Sequence, residues 1–118
     1  ELLDGAATDL GMLYEPVHGG FGDGPKFPTV PPLSLLLRQW YRARDQSARE
    51  KVEHCLRTMA AGGIYDHLEG GFHRYSVDGQ WLVPHFEKML YDNAQLVRIY
   101  LDGWRLTREV RFRRVVEE

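Results

Sequence analysis

A chain of 118 residues that is 43% hydrophobic and 27% charged has the balance of one ordinary globular unit, which excludes a disordered tail. No apolar run approaches the roughly 20 residues of a bilayer crossing, and Glu1 opens no basic, apolar, small-residue series, so a cytoplasmic protein without a membrane partner is expected. A formal net charge of -2, with basic residues scattered except between Arg105 and Arg114, gives no general attraction for phosphate backbones and excludes nucleic acid as a partner.

In chain order, Leu3, Ala7, Leu10 and Tyr14 recur at helical spacing and predict a helix over 2–14, ahead of Pro16 and the Gly19-Gly20 pair. A loop rich in Gly and Pro runs to Pro32. Leu33, Leu35, Leu36, Leu37, Trp40 and Tyr41 then cover most of a helix surface over 32–45. Ser47 and Glu50 form a capping box for a third helix over 48–61. Its stripe of Ala48, Val52, Cys55, Leu56, Met59 and Ala60 is one-sided, and Gly62-Gly63 ends it. Cys55 is the only cysteine and sits on that apolar stripe, so it reads as a small buried hydrophobe and not as a reactive thiol. From Pro84 a fourth helix, 85–106, is apolar on more than one face, and Thr107 caps a fifth.

Two one-sided helices alternate with two wrapped in apolar residues, and long connections alternate with short ones. The expectation is an all-α fold of two helical hairpins, with the second and fourth helices adjacent in an inner layer. Gly19-Gly20-Phe21 recurs as Gly70-Gly71-Phe72, 51 residues later, which points to a repeated hairpin unit. The long loops, near 15–31 and 62–83, both lead into inner helices and so lie at one end, where a site is built. An isolated pair of hairpins leaves apolar surface on the inner helices, which the rest of a larger barrel or self-association would cover.

The second loop is dense in titratable and aromatic groups. Asp78-Gly79 suggests a small β-hairpin with His73, Tyr75 and Val77 on one face and Phe72, Arg74 and Ser76 on the other. The stretches Gly19 to Gly22 with Pro25-Lys26-Phe27-Pro28, Gly62 to Asp66, Gly71 to Asp78, and Trp81 with Pro84 to Asn93 resemble the thioredoxin-domain-containing family related to spermatogenesis-associated protein 20. His85-Phe86-Glu87-Lys88-Met89-Leu90-Tyr91-Asp92-Asn93-Ala94 is the most specific stretch, and Asp23 departs from the glycine common in the family. The resemblance covers roughly residues 16–107. It implies that the chain is a fragment of an (α/α)6 six-hairpin toroid similar to glycosidases and to N-acylglucosamine 2-epimerase, without the thioredoxin-like domain of the family. The activity implied is acid/base chemistry of the sugar epimerase, isomerase or glycosidase type on a small-molecule carbohydrate ligand. The rival is a non-catalytic platform attached to a redox domain.

The residues carry their own logic. His85 and Glu87 are expected in the first turn of the fourth helix, where free N–H groups and the helix dipole favour a carboxylate and a neutral imidazole, either as a competent acid/base pair or equally as groups that satisfy the loop backbone at the helix start. Glu87 and Tyr91, and His85 and Asp92, would each share a helix face. His73 should converge on the same cleft, because the hairpin returns the chain to Pro84. Arg74 would clamp an anion or equally pair with Asp66 or Glu69 inside the loop, and Asp66 would supply a second carboxylate. Tyr91, Tyr75 and Trp81 would line the pocket, although Tyr75 and Trp81 fit aromatic packing that holds the loop down better than a stacking platform for a sugar. Asp78 reads as a turn residue. His67, His73 and His85 match no zinc spacing, and Gly19 to Gly22 lacks the Lys-Ser/Thr of a phosphate loop, so no metal and no cofactor is expected.

Overall fold

A computed structural model of the chain describes residues 2–22 and 24–117, apart from the side chains of residues 2–4 and 7. Leu3 and Ala7 of the first predicted stripe, and the departure at Asp23, therefore lie outside what is described. Among the described residues the helices are α1 (Leu2–Leu13), α2 (Val30–Ala43), α3 (Gln46–Ala61), α4 (Leu90–Thr107) and α5 (Val110–Glu117). The fold is all-α. Two-residue connections join α2 to α3 and α4 to α5, each of these pairs is in contact, and α2 also packs on α4 as α3 does on α5. The result is two helical hairpins side by side, a partial α/α toroid, with α1 laid on α2.

The hairpin corners repeat. Arg44 ends α2 in the left-handed conformation, φ 54°, with its N–H on the Trp40 carbonyl, and Arg108 ends α4 in the same way, φ 61°, on the Trp104 carbonyl. A non-glycine residue resists this conformation. Here each guanidinium is laid over the ring of the tryptophan it caps, at 5.2 Å for Arg44 and 4.6 Å for Arg108.

Several helix boundaries differ from the sequence reading, each for a local reason. α2 begins at Val30 because Pro31 and Pro32 fit a first turn, where no N–H is needed. The N-cap of α3 is Asp45, whose carboxylate accepts from the Ala48 N–H at 3.2 Å, so the box expected from Ser47 and Glu50 does not form. The Ser47 hydroxyl is taken by Lys51. Thr107 closes α4 and accepts from the Glu109 N–H ahead of α5. α4 starts at Leu90, five residues later than expected from sequence, because backbone pairing of His85 with Tyr75 and of Glu87 with Arg74 holds the preceding residues extended.

The core centres on α3. Val52, Leu56 and Met59 meet Leu33 and Leu36 of α2, Leu96, Ile99 and Tyr100 of α4, and Phe112 of α5, in one buried cluster. Tyr100 is fully buried, stacks on Phe72 with ring centres 5.3 Å apart, and donates its hydroxyl to the Leu56 carbonyl at 2.7 Å. Burial pushes its phenol well above the ordinary range. A side chain at Gly103 would begin 2.7 Å from Leu56 Cδ1, so glycine sets how closely α4 approaches α3. On the outside, Tyr41, Leu90, Tyr91 and Val97 leave apolar surface along α2 and α4.

Candidate functional site

The two glycine loops are built on one plan. In the first, Glu15 receives the Val17 and His18 N–H groups on its carboxylate, exchanges backbone hydrogen bonds with Gly19 and Gly20, and pairs with Lys26 at 2.9 Å. In the second, Asp66 receives the Leu68 and Glu69 N–H groups, exchanges backbone bonds with Gly70 and Gly71, and pairs with Lys88 at 2.7 Å. Each lysine also donates to the first glycine's carbonyl, at 2.7 Å for Gly19 and 3.1 Å for Gly70. All four glycines have φ between 80° and 84°, a region that a side chain resists. Tyr14 bridges Phe21 and Tyr65 bridges Phe72, so the recurring Gly-Gly-Phe is one closed loop used twice.

The difference between the loops is an insertion. Lys26 follows Glu15 by 11 residues and Lys88 follows Asp66 by 22. The added chain forms a narrow ribbon: Arg74 N–H to Glu87 carbonyl at 2.7 Å, His85 N–H to Tyr75 carbonyl at 2.8 Å and Val77 N–H to Val83 carbonyl at 2.8 Å. Ser76 exchanges both backbone bonds with Lys26 of the first loop, at 2.9 and 2.7 Å. The small hairpin is thus present as isolated antiparallel bridges, with a turn wider than the tight one suggested by Asp78-Gly79. The Asp78 carboxylate fills that turn, accepting from the N–H groups of Gln80, Leu82 and Val83 and from the Ser76 hydroxyl. Desolvation works against it, but these donors hold its carboxyl well below the ordinary range.

The ribbon decides where the candidate acid/base groups stand. His85 and Glu87 are in its returning arm, ahead of α4, so neither sits in a helical first turn and the i, i+4 and i, i+7 pairings proposed across that helix do not apply. They do meet: His85 Nδ1 is 3.5 Å from Glu87 Oε1, and Arg74 Nη1 is 3.6 Å from the same oxygen. The imidazole is stacked on Tyr75, with ring centres 4.5 Å apart, and flanked by Phe86 at 4.6 Å. Tyr75 in turn rests on Phe27 at 4.9 Å. Beside this cluster lies a cleft of about 220 Å³ lined by Arg74, Tyr91, Asp92, Gln95 and the 27–31 segment. Burial raises the Asp92 carboxyl, against the opposing pull of Arg74.

The structure therefore brings together Arg74, Tyr75, His85 and Glu87 and sets Arg74 and Tyr91 on a common cleft. Asp66 is committed elsewhere: its hydrogen bond from Lys88 and those of two backbone N–H groups hold it well below the ordinary carboxylate range, as the keystone of its loop. Trp81 is 1% exposed and donates its indole N–H to the His18 carbonyl at 2.9 Å, joining one loop to the other. His73 donates its backbone N–H to the Ile64 carbonyl, and its ring Nδ1 is buried with no hydrogen-bond partner. Among the described residues, no hydrogen bond, ion pair or ring contact joins it to His85 or Glu87, so the expected convergence of His73 on that pair is not seen. Sequence reasoning does not mark Gln95 as a site residue, and it marks Phe27 only as part of a family stretch. Gln95 was within reach of it, one turn after Asp92 on a helix, whereas Phe27 depends on the contact between loops.

Among the described residues no group of three or more His, Cys, Asp and Glu side chains is placed to hold a metal ion, and no helix is long and apolar enough to cross a membrane. No family model matches the chain. Spermatogenesis-associated protein 20 of Homo sapiens is 49% identical over 98 residues, which is 80% of this chain and 12% of that protein. Its Mus musculus counterpart is 46% identical over the same share. An uncharacterized protein of Caenorhabditis elegans is 46% identical over 75% of this chain and 13% of its own length. The chain spans about an eighth of the length of these curated relatives. Among solved structures, cellobiose 2-epimerase from Spirochaeta thermophila matches 98% of this chain and 33% of its own with a TM-score of 0.72 and 17% sequence identity, a likeness of fold alone. The chain is homologous to one segment of spermatogenesis-associated protein 20, and it has the fold of a partial α/α toroid.

Proposed function

We propose that the chain supplies part of a carbohydrate-binding pocket in a larger six-hairpin α/α toroid, with His85 and Glu87 as its acid/base groups. The observation that carries this reading is the cluster itself: an imidazole 3.5 Å from a carboxylate, with a guanidinium 3.6 Å from that carboxylate, at the edge of an open cleft. An imidazole stacked on the Tyr75 ring is held in place to pass a proton, and the Arg74 charge suits an anion developing at a sugar carbonyl. Tyr91 and Asp92 line the cleft where ring faces and hydroxyls would lie. The fold shared with a sugar 2-epimerase supports a proton-transfer reaction at a sugar carbon. Further hairpins of the same toroid, or a second copy of the chain, would cover Leu90 and Val97, and a thioredoxin-like domain would belong to the longer protein.

The test is proton exchange in heavy water, followed by NMR at sugar carbons over a panel of mono- and disaccharides, alongside assays for hydrolysis. His85→Gln and Glu87→Gln should each cost about 10²–10⁴ in rate with little change in melting temperature. Turnover by both variants at the original rate would remove the acid/base assignment. Binding without turnover in the unmodified protein would favour a non-catalytic platform.

A further inference from the structure

The cleft beside Arg74 continues into a second one. A groove of about 260 Å³ runs between α2 and α4, and Val30, Pro31 and Gln95 line both spaces. Along α4 the polar positions Asp92, Gln95, Arg98 and Asp102 fall at intervals of three or four residues, one face of a helix. At the rise of an α-helix, that stripe extends about 15 Å, longer than a single sugar ring needs. Ser34 faces it from α2.

We infer that this groove binds the further units of an oligosaccharide whose first unit lies at Arg74, His85 and Glu87. The inference rests on the carbohydrate reading above and names the substrate class of the same site. Among the described residues, Ser34, Gln95, Arg98 and Asp102 engage no side-chain partner by hydrogen bond or ion pair, so their bonding capacity is available to a ligand. Together they offer both donors and acceptors, which matches hydroxyl groups that do both. Arg74 and Arg98 are balanced by Asp92 and Asp102, so the groove carries no excess charge that would select a polyanion. Val30 and Pro31 supply an apolar edge for the C–H face of a ring.

The test is calorimetric titration of the protein with glucose and with its di- and trisaccharides in both α-1,4 and β-1,4 linkage. Affinity should rise by about 10-fold or more from glucose to the longer chains in one linkage, equivalent to about 1.4 kcal/mol. Arg98→Gln and Asp102→Asn, checked for folding by circular dichroism, should bring the ratio of trisaccharide to glucose affinity back towards one. Equal affinity for all chain lengths, or an unchanged ratio in both variants, overturns the groove and leaves the first-unit site standing. Failure of every saccharide to bind overturns both readings.

Discussion

Trp81 and His18, 63 residues apart in the chain, are joined by an indole hydrogen bond of 2.9 Å that locks the second glycine loop onto the first. The same indole lies 2.6 Å from where a Cβ on Gly20 would stand. Gly20 is also held at φ 80°. Trp81→Ala should therefore cost about 3–5 kcal/mol through the cavity it leaves, and Trp81→Phe about 1–3 kcal/mol through the unsatisfied carbonyl. Gly20→Ala should destabilise by displacing the ring. Urea titration measures each, and a stability unchanged by Gly20→Ala would contradict this interlock.

The two loop lysines differ in cover. The Lys26 side chain is 1% exposed and that of Lys88 is 32% exposed, although both hold a carboxylate and a glycine carbonyl. Removing Glu15 leaves a buried ammonium without its counter-charge, so Glu15→Gln should fall at the lower end of the roughly 3–5 kcal/mol typical of broken buried pairs. Asp66→Asn should cost less, because water reaches Lys88. Equal losses for the two variants, measured by chemical denaturation, would contradict the distinction.

Acid should reveal the same design. Although desolvation acts in the opposite sense, the Lys26 hydrogen bond and the Val17 and His18 N–H groups bring the Glu15 carboxyl from its usual 4.5 down to about 2. A carboxyl depressed in the folded state contributes stability that is present above its unfolded value and lost as pH falls through the folded one. Asp66 and Asp78 shift in the same direction. The melting temperature should be level above about pH 5 and fall steadily towards pH 2. Glu15→Gln should flatten part of that fall, which thermal scans across the range would show.

Cys55 should be inert. It is 2% exposed, and burial pushes its thiol up to about 12. A disulfide reagent at neutral pH should modify it only as fast as the protein opens, and fully in denaturant. Rapid modification of folded protein would contradict the burial of this face of α3.

At the contact between α3 and α4, a methyl group on Gly103 would begin 2.7 Å from Leu56 Cδ1. Gly103→Ala should destabilise by about 1–3 kcal/mol despite alanine's better helix propensity. A stabilised variant in thermal unfolding would show that α4 can move away from α3 freely.

Periodicity in the sequence determined the helices, the one-sided stripe of α3 and the pairing into hairpins, because a 3.6-residue repeat of apolar side chains has few ways to bury itself. The recurring Gly-Gly-Phe likewise announced a repeated loop, since those glycines meet a backbone requirement that is local. The family resemblance was legible in the same loops and in the stretch from His85 to Ala94. Tertiary structure alone decided the character of the site. Backbone pairing of Arg74 with Glu87 and of Tyr75 with His85 keeps 85–89 out of the helix that its own pattern favours, and so places the imidazole and carboxylate on a ribbon and not at a helix terminus. Whether a carboxylate is a keystone, as Asp66 is, or is left facing a cleft, as Asp92 is, depends on which distant lysine or arginine the fold brings beside it. Hydrogen bonds between positions far apart in the chain have no period, and a sequence pattern does not carry them.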